Sequence, residues 1–241
     1  MPPAPLPAGY PGQKGDRILT PQHHLPADIE RTSLQIIAQE LAARGLTPPP
    51  ETEAVVRRVV HATADFDYAE TLRFTPGAVR RGAEALRDGA PIVTGTNMAL
   101  AGLSKPALAR LGGQAVCYMA DPEVAAAARQ AGTTRAVASV AVAAQRHPGA
   151  VFAVGNAPTA LLALADQLAR GLRPALIIGV PVGFVNVVES KQRLLAACEQ
   201  YGVPAIVALG RKGGSTVAAA VCNALLYTAA GMLDPAARGW Q

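Results

Sequence analysis

Cysteine, aromatic side chains and charge are all scarce in this 241-residue chain. Its three cysteines are odd in number and far apart, which argues against a disulfide framework or a zinc site and for a reducing, cytoplasmic compartment. Aromatic residues make up 4% of the chain, so the core has to be built largely from alanine, valine, leucine and isoleucine. The net charge of +5 comes without a basic run interleaved with aromatics, so no nucleic-acid partner is expected.

No segment is predicted to enter a membrane. Residues 1–27 are rich in proline and lack the apolar stretch of a signal peptide, so we interpret them as a disordered leader. The uncharged stretch over residues 216–233 is rich in alanine and contains Asn223, which favours a helix packed on a sheet over a membrane span. The expected organisation is the leader, one α/β domain over residues 28–234, and a tail over residues 235–241.

The motifs of several enzyme classes are also absent. The chain has no G-x-G-x-x-G and no G-x-x-x-x-G-K-[ST] motif, which removes the main support for a dinucleotide or P-loop site. It has no G-x-S-x-G elbow, so a hydrolase triad is not expected. A nucleotide-binding oxidoreductase is therefore only a remote alternative.

Five short apolar runs predict the strands of a parallel sheet. They cover residues 91–94, 115–119, 151–154, 176–180 and 205–209. The last three are continuously apolar and lead through glycine- or proline-rich turns into helices, which is typical of strands buried on both faces. The sequence predicts a single doubly wound α/β domain, with a five-stranded parallel sheet, helices on both faces and a helical N-terminal extension.

Three amphipathic helices are predicted to form this extension. The first covers residues 28–43, and the second runs from about residue 51 to His61. The third covers residues 77–87, with Thr75 as its N-cap, because a Thr-Pro pair commonly begins a helix.

The turns after the last three strands are where function is expected. Ligands of open α/β sheets bind at the carboxyl ends of the strands, and helix N-termini there offer N–H groups to anionic oxygens. The third turn adds Arg211 and Lys212, whereas the second offers the apolar Val182, Phe184 and Val185. A flat apolar ligand with peripheral carboxylates would satisfy both turns. In the alternative interpretation, glycine and proline only make tight turns here.

His61 is the candidate acid–base residue. If the cysteines are core residues, only His61 and His147 remain outside the leader as side chains that titrate near neutral pH. His147 lies in a Pro-Gly turn just before a strand, which places it away from the crevice. A histidine near a helix end can instead be a hydrogen-bonded structural residue, and the sequence leaves that alternative open.

Four segments occur in an order that is typical of a known family. They are HATADFDY at 61–68, GNAPTAL at 155–161, PVGFV at 181–185 with Glu189-Ser190-Lys191, and GRKGGS at 210–215. Together they resemble the precorrin-8X methylmutase (precorrin isomerase) family of cobalamin biosynthesis. The similarity covers about residues 28–226, which is nearly all of the chain outside the leader.

The resemblance implies an isomerase that moves a methyl group from C-11 to C-12 of precorrin-8X or cobalt-precorrin-8. This formal 1,5-sigmatropic shift gives hydrogenobyrinate or cobyrinate, and the resemblance implies that His61 protonates the ring C nitrogen. It implies no nicotinamide, metal or ATP cofactor, and a cytoplasmic homodimer whose partner is the corrinoid. The resemblance also implies that Ser33 and Arg135 contact the substrate, although Arg135 could instead be an ordinary surface arginine. The other substrate-binding residues, expected from the motifs and the crevice, are Thr96, Asn156, Pro181, Gly183, Phe184, Arg211, Lys212, Gly213 and Ser215.

Two positions depart from the family pattern. Gly95 stands where many members carry an acidic residue, and Gly113-Gln114-Ala115 stands where an Asn-Glu pair is frequent. We expect both to border the cleft and to affect substrate preference rather than the reaction class. The run after His61 resembles the cobalt-precorrin-8 branch, although the sequence does not decide whether the substrate carries cobalt. The alternative from another class is a non-catalytic tetrapyrrole-binding or carrier protein on the same fold.

Overall fold

The computed structural model describes residues 25–238, so most of the predicted leader and the end of the predicted tail lie outside the described residues. In chain order the elements are α1 (Pro26–Ala43), α2 (Pro50–Thr63), α3 (Tyr68–Thr71), β1 (Leu72–Phe74), α4 (Ala78–Arg87), β2 (Ile92–Thr94), α5 (Asn97–Ala101), α6 (Lys105–Leu111), β3 (Ala115–Val116), α7 (Pro122–Gln130), α8 (Arg135–Arg146), β4 (Val151–Val154), α9 (Pro158–Ala169), β5 (Leu176–Gly179), α10 (Val187–Tyr201), β6 (Ala205–Ala208), α11 (Ser215–Ala230) and a 3-10 turn (Pro235–Arg238).

The sheet has the strand order β1-β6-β5-β4-β2-β3. Strands β2 to β6 pair in parallel, which confirms the α/β fold and the five predicted parallel strands. The expected strand count was wrong, however, because β1 adds a sixth strand that pairs antiparallel with β6. β1 has only three residues, one of them Arg73, and a segment of this length shows no alternating or continuous apolar pattern. Its pairing with β6 therefore specifies it as a strand. The edge strand β3 is also shorter than expected, since it has only one neighbour.

Helices cover both faces of the sheet, as the sequence predicts. In β4, Val151 and Ala153 pack in the core shared with α2, α4 and α11, whereas Phe152 and Val154 pack in the core shared with α8, α9 and α10. Burial on both faces is why these strands are continuously apolar. The alanine-rich helix α11 is buried along most of its length, as expected for residues 216–233. Within residues 25–238, no helix combines the length and apolar character that crossing a membrane requires.

An ion cluster joins the N-terminal helices to the end of the described chain. The buried Glu30 of α1 accepts hydrogen bonds from Arg58 of α2 and from Arg238 in the 3-10 turn. Burial alone would raise the pKa of the Glu30 carboxyl, but the hydrogen bonds from these two arginines lower it below its ordinary value. The Arg238 guanidinium also lies 3.8 Å from the ring centroid of Tyr227 on α11. The cluster therefore fixes α1 and α2 against α11.

Thr75 does not cap the helix that follows it, so that prediction was wrong. Gly77, in the left-handed conformation with φ 67°, precedes α4 instead. The Thr75 hydroxyl accepts a hydrogen bond from the Ala205 backbone N–H at 2.8 Å, in a buried position. The side chain thus continues the pairing of β1 with β6 beyond the end of β1.

We expect Thr75→Val to lower the free energy of unfolding by about 1–3 kcal/mol, because it keeps the side-chain shape but leaves the buried Ala205 N–H without an acceptor. Urea denaturation measures this change. The matched control is Thr133→Val at an exposed threonine, which should change the free energy by less than about 0.5 kcal/mol. An unchanged unfolding midpoint in Thr75→Val would contradict the role of this hydrogen bond.

Candidate active site

The crevice lies where the strand order reverses, at the carboxyl ends of β2 and β4. From there β3 lies on one side, and β5 and β6 lie on the other. Such a switch point is the usual ligand site of an open α/β sheet. The turn after β4 lies directly against the start of α11, since a Cβ on Gly155 would be 2.7 Å from the Gly214 carbonyl oxygen. The turns after β4 and β6 therefore meet, as expected from the sequence.

Thr96 and Ser215, two predicted binding residues, are in contact across this crevice. Thr96 follows β2 and caps α5 by accepting a hydrogen bond from the Ala99 N–H at 3.1 Å. Its hydroxyl also lies 2.8 Å from the Ser215 hydroxyl, at the first residue of α11. The pair joins the N-termini of two helices at the carboxyl edge of the sheet.

Gly213 allows the turns after β5 and β6 to pack backbone against backbone. A Cβ on Gly213 would lie 2.2 Å from the Val180 carbonyl oxygen, closer than any side chain can fit. The adjacent Gly214 N–H donates to the same oxygen at 2.8 Å, and the Gly183 N–H donates to the Arg211 carbonyl at 3.2 Å. Gly213 and Gly183 thus determine the shape of the crevice.

An apolar surface with a cation at its edge lies on these turns. Phe184 is 83% exposed and Val185 is 75% exposed, which is unusual for such large apolar side chains. The Arg211 guanidinium lies 5.6 Å from the centroid of the Phe184 ring. Pro181, by contrast, is buried and shapes the turn without contributing to the exposed surface. The structure therefore brings Phe184 and Arg211 together.

Lys212 is paired with two carboxylates in the segment that follows His61. Its Nζ lies 2.6 Å from an oxygen of Asp65 and 2.6 Å from an oxygen of Asp67. The hydrogen bonds to Asp65 and Asp67 raise the pKa of the Lys212 ammonium above its ordinary value. The sequence shows both aspartates within the motif, but it does not show that they pair with a residue about 145 positions further along.

The buried Lys191 holds the loop that carries Lys212, residues 210–214, from the protein interior. Its side chain is fully buried, and its Nζ donates to the carbonyl oxygens of Gly210 at 2.8 Å and Lys212 at 2.7 Å. It forms no salt bridge with any carboxylate of residues 25–238. Burial lowers its pKa to about 8. Lys191 belongs to the motif Glu189-Ser190-Lys191, but only the fold shows which groups it contacts.

His61 lies in the last turn of α2, at the wall of a cavity of about 400 Å³. Arg58 and His61 on α2, Met98 on α5, and Thr216, Ala219 and Asn223 on α11 contribute to the lining. The imidazole makes no hydrogen bond to any side chain or backbone group within residues 25–238. Nothing described here therefore holds it as a hydrogen-bonded structural histidine.

The surroundings of His61 favour its neutral form. Although the residue as a whole is exposed, the imidazole is partly shielded at the cavity wall, and this burial lowers its pKa. The positive charges of Arg58 and, more weakly, Arg238 lower the pKa further, whereas Glu30 opposes them. When the cavity holds no anion, burial and the neighbouring arginines therefore shift His61 towards the neutral imidazole.

The other predicted residues lie at different distances from this cluster. Arg135 is exposed at the start of α8, where Thr134 is hydrogen-bonded to Thr159 of α9 at 3.2 Å. This hydrogen bond shows that the N-termini of α8 and α9 lie side by side. The exposed Asn156 lies in the turn between β4 and α9. Ser33 is half-buried on α1, and among the described residues no hydrogen bond connects it to the crevice.

The two departures from the family pattern lie at opposite edges of the sheet. Gly95 follows β2 and lines an apolar cavity beside β4 and α8, so it borders the crevice as expected. Gln114 precedes β3, and its carbonyl accepts a hydrogen bond from the Ile92 N–H. It therefore lies at the amino-terminal edge, and the expectation that it borders the cleft was wrong. Within residues 25–238 no group of three or more His, Cys, Asp or Glu is arranged to hold a metal ion.

Comparison with known proteins finds relatives over most of the chain. The family model for precorrin-8X methylmutase (CbiC) matches residues 28–228. A cobalt-precorrin-8 methylmutase from Salmonella typhimurium is 44% identical, over 84% of this chain and 95% of the relative. A precorrin-8X methylmutase from Pseudomonas aeruginosa is 38% identical, over 82% of this chain and 93% of the relative. The crystal structure of precorrin-8X methylmutase from Thermus thermophilus superposes with a TM-score of 0.75 at 44% identity, covering 84% of this chain and 98% of that one.

Taken together with the open α/β fold, these methylmutase relatives place the chain in the isomerase class of enzymes. The chain belongs to the precorrin-8X methylmutase family of cobalamin biosynthesis. The resemblance inferred from four short segments is thereby confirmed.

We expect Gly213→Ala to disrupt the crevice, because the added methyl group would meet the carbonyl oxygens of Val180 and Pro181 at 2.2 and 2.5 Å. The backbone must move, which should lower the free energy of unfolding by about 1–3 kcal/mol and weaken corrinoid binding. Denaturation and spectroscopic titration with a corrinoid measure the two effects. Gly149→Ala is the control, since its methyl group would meet nothing within 4 Å. Unchanged stability in Gly213→Ala would show that the two turns do not depend on each other.

Proposed function

We propose that this chain converts precorrin-8X or cobalt-precorrin-8 into hydrogenobyrinate or cobyrinate by moving a methyl group from C-11 to C-12. The bond from C-11 to the methyl group breaks as the bond to C-12 forms, and the conjugated double bonds rearrange without net gain or loss of atoms. Family membership supports the reaction class. The observation that carries the assignment of the site is the His61 imidazole, which lines a 400 Å³ cavity without a hydrogen bond to the described residues.

The crevice suits a corrinoid, an apolar macrocycle with carboxylates at its rim. Phe184 and Val185 offer exposed apolar surface to the ring. Arg211 beside Phe184 and Arg135 at the start of α8 offer positive charge to the carboxylates. The N-termini of α9 and α11 add backbone N–H groups, which favour anionic oxygens. Apolar and cationic groups thus lie where such a ligand needs them.

His61 is proposed to protonate the ring C nitrogen. The surroundings of the free imidazole lower its pKa, but bound carboxylates would favour the imidazolium, because nearby negative charge raises the pKa of a histidine. Substrate binding would then cause His61 to take up the proton that assists methyl migration. Binding and protonation are linked because each favours the other.

We propose that the protein acts as a homodimer. Leu25, Ile29 and Ile36 are exposed apolar side chains at the start of α1 and along it. Their spacings of four and seven residues place all three on one side of the helix. Such a stripe on one helix suits burial against a second copy. Sedimentation equilibrium measures this assembly directly, and a monomer at micromolar concentration would contradict it.

The reaction is tested by incubating the pure protein with precorrin-8X and with cobalt-precorrin-8 and following the visible spectrum as the conjugation changes. We expect His61→Ala to lower the rate by about 10²–10⁴-fold, as is typical of a general acid, while binding is retained. His147→Ala is the control, because His147 is hydrogen-bonded to Tyr118 outside the crevice, and it should remain active. Full activity in His61→Ala would rule out its role as proton donor. Binding without turnover in the wild type would indicate a carrier.

We also expect kcat/KM to fall as pH rises, with an apparent pKa below 6.5, because the free protein must supply a protonated His61 whose pKa is lowered. The profile of kcat should fall at a higher pH, since bound carboxylates raise the pKa in the complex. Initial rates over pH 5–9 separate the two profiles. A kcat/KM that rises with pH through this range would instead indicate that His61 acts as a base.

A further inference from the structure

The ion pairs of Lys212 with Asp65 and Asp67, together called the clamp, join two segments of the chain, each of which adjoins a helix that lines the His61 cavity. Asp65 comes four residues after His61, just beyond the end of α2 and the left-handed Ala64. Lys212 comes three residues before Ser215, where α11 begins. Because α11 supplies Thr216 and Ala219 to the cavity, the clamp links the segment after His61 to the loop that leads into this part of the lining.

The loop that carries Lys212 is itself fixed from inside the protein. The buried Lys191 donates to the carbonyl oxygen of Lys212 and to that of Gly210. The Gly214 N–H holds the far end of the loop on the Val180 carbonyl at 2.8 Å. The Lys212 backbone is therefore held in place. Its side chain, through the ion pairs with Asp65 and Asp67, in turn holds the segment after His61.

The local charge argues against an anionic ligand at Lys212. Its single positive charge faces two carboxylates, so the clamp has a net charge of −1. A substrate carboxylate would have to displace an aspartate or approach a negative cluster, and like charges at this distance repel. Arg211, next to it, has no carboxylate partner in the described chain and remains available.

We propose that Lys212 is a positioning residue, which holds the His61 end of α2 against the loop before α11 through Asp65 and Asp67, while Lys191 fixes that loop. This inference rests on the proposed methyl transfer, in which His61 must lie at a set distance from the macrocycle. The role differs from the direct contact with substrate that the sequence predicts for Lys212.

Two sets of variants separate the roles, Lys212→Met and the pair Asp65→Asn with Asp67→Asn. A third protein combines all three substitutions. A positioning role predicts that each set lowers kcat by about tenfold or more, since a small misplacement of a catalytic group is costly, while KM changes by less than about threefold. The combination should lose no more than either set alone, because both remove the same interaction. Lys212→Arg, which keeps the charge, should recover part of kcat.

Direct substrate binding by Lys212 predicts the opposite pattern and would overturn the proposal. Removing the two aspartate charges would free the ammonium and lower KM, whereas Lys212→Met would raise KM at unchanged kcat. The controls are Arg129→Met on α7 and Asp88→Asn after α4, exposed charges on other parts of the fold, which should behave as the wild type.

Amide hydrogen exchange of the free protein tests the clamp without turnover, so its result stands even if no corrinoid is converted. We expect faster exchange in residues 61–68 and 210–215 in both sets of variants, by about tenfold, and unchanged exchange in the two controls. Wild-type exchange rates in both segments of Lys212→Met would overturn the inference. Absence of turnover in the wild type, with faster exchange in the variants, would overturn only the proposed reaction.

Discussion

Two glycines, Gly155 and Gly213, let three turns meet backbone to backbone at the carboxyl edge of the sheet. A side chain at either position would overlap with a carbonyl group of the neighbouring turn. Because these turns meet so closely, the N-termini of α9 and α11 lie next to each other. The parallel strands supply the common edge, and the glycines supply the close contact that turns this edge into a crevice.

Charge is placed around the crevice in two different ways. Glu30 neutralises part of the positive charge of Arg58 and the buried Arg238, and the remaining positive charge disfavours a protonated His61. Lys191 has no carboxylate partner in the described chain and is satisfied by backbone carbonyls alone. A buried lysine of this kind costs stability, and its lowered pKa reflects that cost. Both arrangements favour the geometry and protonation of the site over stability.

The sequence predicted the elements that repeat a strong local pattern. The apolar runs of β4, β5 and β6 and the turns that follow them lie where expected, because burial on both faces requires an uninterrupted apolar strand. The meeting of Thr96 with Ser215 also follows from parallel strands that share one edge. These features depend on neighbouring residues and on the general rules of α/β sheets.

The features that the sequence did not predict depend on contacts between distant residues. Strand β1 is specified by its partner β6, and Thr75 is used by the Ala205 amide rather than by its own helix. The sequence predicts Lys212 as a ligand-binding residue, whereas in the folded chain its ammonium is paired with Asp65 and Asp67. Gln114 was misplaced for another reason: it directly precedes the strand predicted at residues 115–119, and the start of a parallel strand lies at the edge opposite the crevice.

The most direct measurement is a crystal structure of the protein with the corrinoid product bound. We expect a macrocycle at the switch point, with its ring C nitrogen within about 3.2 Å of a His61 ring nitrogen, the reach of a hydrogen bond. We also expect rim carboxylates at Arg211 and at the N-termini of α9 and α11. A corrinoid bound away from His61, or with ring C turned to the far side of the crevice, would contradict it.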